Sequence, residues 1–86
     1  MKAAKNALDH EVRFTEAATV FWDRDAMSQF NEEHSEVEER YTIVGRSMYT
    51  RTLFVVHVIR SLRIRINSAR QATPTERRDY EKQMGR

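Results

Sequence analysis

The 86-residue chain has no cysteine, one proline and two glycines. Without cysteine it can use neither a disulfide nor a thiolate metal site, and a reducing compartment suits such a chain. No apolar run approaches the roughly 18–20 residues of a membrane span. Residues 1–7 (Met-Lys-Ala-Ala-Lys-Asn-Ala) lack the apolar h-region of a secretory signal. The expectation is a cytoplasmic domain with no membrane contact. A further absence is local. From Arg46 to Arg70 there is no carboxylate, yet the stretch carries Arg46, Arg51, Arg60, Arg63, Arg65 and Arg70. The net charge of +2 conceals this, because residues 1–45 sum to −5 and residues 46–86 to +7. Segregated positive charge on strand-like sequence calls for an anionic partner, and phosphate is the commonest. Two other readings are an acidic protein partner and outward charges that protect a sheet edge from pairing.

A chain of this length makes one domain, 1–86, burying about 60–65% of its unfolded surface, so its stability margin is thin. Residues 2–10 favour helix, with Ala4, Ala7 and Leu8 on one side. Phe14, Ala17, Ala18 and Phe21 fall at i, i+3, i+4 and i+7, the apolar face of a second helix, with Trp22 and Phe21 assigned to the core. Residues 23–39 are polar and read as a loop with at most a short helical turn.

Three strands are expected next, at 40–47, 51–60 and 63–68. The second is apolar on both faces and therefore central. In the third, Leu62, Ile64 and Ile66 should point inward and Arg63, Arg65 and Asn67 outward. Short connections make the sheet antiparallel. Thr73-Pro74-Thr75-Glu76 places a capping box and an N1 proline at the start of a last helix that runs to about Met84. The order ααβββα describes an α+β domain with helices against one face of a small antiparallel sheet.

Among candidate chemical groups, His57 alternates with Val55 and Ile59, the pattern of a core histidine. Glu32, Glu33, His34 and Glu36 fit no metal-ligand spacing and read as a solvated charge run. Glu76 and Tyr80 share one helix face, either as an acid/base pair or as a cap and a packing residue.

The blocks His34-Ser35-Glu36-Val37-Glu38-Glu39-Arg40-Tyr41 and Ser68-Ala69-Arg70-Gln71-Ala72-Thr73, continuing to Glu76-Arg77 and Tyr80-Glu81, resemble the BrnT toxin family, as do Phe14-Thr15-Glu16-Ala17 and Val20-Phe21-Trp22-Asp23. The resemblance implies a RelE-like fold and a ribonuclease toxin that cuts RNA without metal or cofactor. It further implies neutralisation by a BrnA-like ribbon-helix-helix antitoxin, through which alone operator DNA would be reached. On this reading His10, Arg65, Arg70, Glu76 and Tyr80 are the candidate catalytic residues, and Arg46, Arg60, Arg63, Arg65 and Arg70 the RNA-binding ones.

The chain departs from the family pattern at its N-terminus. An expected opening strand with a Trp-Asp pair is absent, and Asn-Leu-x-Lys-His-Gly reads Asn6-Ala7-Leu8-Asp9-His10-Glu11. Two alternatives follow. One is a shortened, weakly active or inactive paralogue that binds antitoxin or RNA without cutting. The other is a homodimer or strand-sharing oligomer.

Overall fold

A computed structural model describes residues 12–32 and 38–85. The short helix α1 (Phe14–Ala18) runs into a 3-10 turn (Thr19–Trp22). Four strands follow: β1 (Met27–Phe30), β2 (Arg40–Arg46), β3 (Thr52–Arg60) and β4 (Arg63–Gln71). Helix α2 (Pro74–Met84) closes the chain. The strands form an antiparallel meander in the order β1-β2-β3-β4, so β3 is central as its two-sided apolar sequence requires. The helix expected at 2–10 lies outside the described residues.

Four strands stand where three were expected. Residues 27–30, read as loop, pair with residues 41–44 of β2. Met-Ser-Gln-Phe shows no alternation, because this edge strand is short and mostly exposed and draws its order from β2. β4 also runs three residues further than its alternation suggested, to Gln71.

On one face of the sheet, Ile43, Leu53 and Val55 meet Val12, Ala17 and Val20, with Phe21, Ala26, Ile66 and Ala69 at the margin. The 3-10 turn approaches β2 so closely that a Cβ on Gly45 would stand 2.9 Å from both Ala26 Cβ and Val20 Cγ1. Glycine is therefore required there by close approach. Trp22, assigned to the core from sequence, is 78% exposed, because the 3-10 turn carries it past the helix face that Phe21 ends.

Glu16 is the buried acid that joins α1 to the β2–β3 connection. It accepts from Arg51 Nε at 3.0 Å, Arg51 Nη2 at 2.6 Å and Ser47 Oγ at 2.6 Å. Thr19 Oγ1 adds a second tie by accepting from the backbone of Met48.

The last helix starts as its sequence dictates, but it does not share the core face with α1 as expected: Glu76 and Asp79 lie beside Thr42, Val44 and Phe54 of the other face, because the chain leaves β4 at Gln71 toward that side. Thr73 accepts from the Glu76 backbone, and the Glu76 carboxylate accepts from the Thr73 backbone. Tyr80 is 1% exposed and holds α2 down by donating to Asp23 Oδ2. Asp23 also accepts from the Arg46 backbone at 2.8 Å.

Candidate nucleic-acid interface

Cross-strand partners in an antiparallel sheet share a face, so the register assigns every side chain on the second face of the sheet. Arg40, Val58 and Arg65 form one row across β2, β3 and β4. Thr42, Val56 and Ser68 form the next, and Val44, Phe54 and Arg70 the third. Arg46 extends this face on β2, and the paired residues Arg60 and Arg63 extend it at the β3–β4 turn.

The register holds because of a bulge. Val56 pairs with Ser68 and His57 with Ile66, leaving Asn67 unmatched. Strict alternation would put Arg65 and Arg70 on opposite faces, since they lie five residues apart. The extra residue reverses the phase and brings them together. The alternation expected for β4 thus holds only before the bulge. Leu62, expected inward, is 98% exposed in the hairpin turn, where Ser61 (φ 49°) and Leu62 (φ 65°) both adopt left-handed backbone.

The carboxylates missing from the arginine stretch are supplied by other parts of the chain. Arg51 is bound by Glu16 on the opposite side of the sheet. Arg60 donates to Glu38 at 2.6 Å. Arg70 donates to Glu76 through both terminal nitrogens, at 2.8 and 2.9 Å, and its Cζ lies 4.1 Å from the centre of the Phe54 ring. Arg46 lies over the Tyr80 ring at 5.9 Å, with its Nε buried and without a hydrogen-bond partner. Arg63 and Arg65 are exposed and, among the described residues, carry no ion pair or side-chain hydrogen bond. Arg65 lines an open groove of about 590 Å³ with Arg40, Asn31, Glu38, Val56, Asn67 and Ser68. Sequence reasoning passed over Arg40, Asn67 and Ser68. The step from Ile64 and Ile66 to Ala69, an odd spacing of inward residues, is the signal of the bulge that aligns them.

The acid and base candidates occupy different settings. Glu76 has its carboxyl held below the usual range by the Arg70 guanidinium, aided by the Thr73 backbone. The Tyr80 hydroxyl is pushed up to about 12 by burial and by the Asp23 carboxylate that it serves. Burial would raise Asp23, but the Arg46 backbone N–H and the Tyr80 hydroxyl bring it below its ordinary value. Tyr80 and Glu76 are one turn apart on α2, yet their polar atoms serve separate partners, Asp23 and Arg70. His57 lies on the core face, 3% exposed, edge-on to Phe21 and stacked on Tyr41. Its Nδ1 is unpartnered, and burial lowers its pKa. His10 lies outside the described residues.

These features define a small α+β domain with an arginine-lined sheet face. Residues 1–76 match the family described as ribonuclease toxin, BrnT, of type II toxin–antitoxin systems, and the chain belongs to that family. No curated protein matches the chain. Membership carries with it a protein antitoxin as partner, as the type II class requires. Among the described residues no helix is long and apolar enough to cross a membrane.

Proposed function

We propose that the chain cleaves single-stranded RNA on the second face of its sheet, without metal, and that this arrests growth until a BrnA-like ribbon-helix-helix antitoxin covers the face. The observation that carries this reading is the Asn67 bulge, which aligns Arg63, Arg65 and Arg70. Arg65 and Arg63 have free donors for a phosphate, and their charge would stabilise the extra negative charge of the transition state. Cleavage removes the ribose 2′-hydroxyl proton, forms the O2′–P bond, and breaks the P–O5′ bond as the leaving oxygen gains a proton.

Glu76 is ionised at neutral pH and can accept a proton or orient the groups around Arg70. Tyr80 keeps its proton and supports the site by positioning Asp23 and, through ring contact, Arg46. His10 is the candidate proton carrier that the family resemblance supplies. An antitoxin segment with acidic side chains would occupy the phosphate positions of Arg63 and Arg65.

Induction of the chain alone in a bacterium is expected to stop growth and fragment RNA, and Arg65→Ala is expected to slow cleavage by about 10²-fold. A second reading, RNA or antitoxin binding without cleavage, is favoured by the commitment of Arg60 and Arg70 to Glu38 and Glu76. Undisturbed growth with soluble protein that still binds RNA selects it.

A further inference from the structure

We propose that Arg70 is a stacking platform for an unpaired nucleobase, not a phosphate ligand. This deepens the RNA reading above and rests on it. An arginine that grips phosphate uses the two-pronged edge of its guanidinium. In Arg70 the end-on edge, formed by Nη1 and Nη2, is taken. Nη1 donates to Glu76 Oε1 and to the Gln71 carbonyl, at 2.8 and 3.1 Å, and Nη2 donates to Glu76 Oε2 at 2.9 Å. The Glu76 carboxylate offsets its charge and is itself held by the Thr73 backbone N–H at 2.9 Å, so the ion pair is anchored to the start of α2.

What the pairing leaves is the side-on Nε–H and one Nη2–H, with the charge already offset, and a flat, delocalised surface. Phe54 covers one side of it, with the Arg70 Cζ 4.1 Å from the ring centre. The Arg70 side chain is nevertheless 44% exposed, so a ligand can reach it. A guanidinium held over an aromatic ring, with its end-on edge fixed, is a platform on which a base can stack. The partners of Arg65 and Arg70 on β3, Val58 and Phe54, are four residues apart. That separation is about 13 Å along the strand. A backbone phosphate held at Arg65 therefore leaves a neighbouring base within reach of Arg70. Stacking of this kind needs a base free of its pairing partner, so the substrate is single-stranded RNA, with purines favoured by their larger face.

The test is binding of a labelled, short single-stranded RNA carrying 2′-O-methyl groups, which blocks cleavage, against the same strand with one base removed at each position in turn. The wild-type chain should lose about tenfold in affinity at one abasic position. Arg70→Lys keeps the charge and discards the plane. It should bind the intact strand as weakly as the abasic one, while its salt dependence is unchanged. Arg65→Lys should keep the base dependence. Phe54→Leu withdraws the support and should lose part of the discrimination, which gives a second variant if Arg70→Lys fails to fold. Indifference of the wild-type chain to every abasic position, or full discrimination by a folded Arg70→Lys, overturns the stacking role alone. No binding to any strand overturns the RNA reading itself.

Discussion

Single residues here change role with their surroundings. His57 sits in the apolar middle of β3 and is buried between Phe21 and Tyr41, which disfavours its charged form. Its pKa therefore lies below the usual 6.5. Between that lowered value and 6.5 the unfolded chain holds a proton that the folded chain refuses, so stability rises with pH across this window. The contribution is complete above about 6.5 and is lost as the pH falls beneath it. Urea unfolding between pH 7.5 and 5.5 should show this decline, and His57→Phe, which keeps the ring contacts, should flatten it. An equal decline in the variant would assign the effect to another group. Glu16 acts at lower pH. The Arg51 guanidinium, with help from Ser47, holds its carboxyl below the usual 4.5, so its contribution is present above that value and fades as the pH drops through the folded pKa.

At the scale of elements, β4 and α2 carry the candidate site, and both are placed by local devices. The start of α2 is written in four consecutive residues. Thr73 and Glu76 cap each other's backbone, and Pro74 stands where no N–H is needed. Thr73→Ala should lower stability on the order of 1 kcal/mol. Because the Glu76 carboxylate binds both the Thr73 backbone and Arg70, loosening the cap should also loosen the platform over Phe54. Thermal melts of the two proteins check the first effect. Coincident melts would show that the cap contributes nothing. β4 depends instead on its single unmatched residue, Asn67, which decides which arginines share a face.

For the whole molecule, charge is distributed so that the acids of residues 1–45 partly mask the arginines of the later strands. Glu16 and Glu38 bind Arg51 and Arg60, and Glu76 from the last helix binds Arg70. The positive charge left on the open face is smaller than six arginines suggest, and Arg63 and Arg65 lead it. Two to four phosphate contacts imply a log–log salt slope of about −1.5 to −3 for single-stranded RNA. Replacing both Arg63 and Arg65 with Gln should bring the slope about 1.4 closer to zero. Affinity measured from low to physiological salt reads both values, and a flat response would remove the arginine face from RNA binding.

The sequence alone was enough for the α+β class, the central position of β3, the antiparallel hairpins and the start of α2. Each of these rests on neighbours in the chain: an apolar run, a short connection, a capping box. The arginine stretch was equally legible as a cluster without internal acids. Tertiary structure decided the rest. β1 became a strand only because β2 offers it hydrogen bonds, so its own four residues carry no period to read. Leu62 and Trp22 left the core because a hairpin turn and a 3-10 turn redirected them. Which arginines are free was set by Glu16 and Glu38, distant in sequence and brought near by folding, and by Glu76, which the turn into α2 sets against Arg70. That Arg65 and Arg70 share a face depends on one bulged residue, since the odd step from Ile66 to Ala69 breaks the two-residue period but only the partner strand fixes which residue is left unmatched.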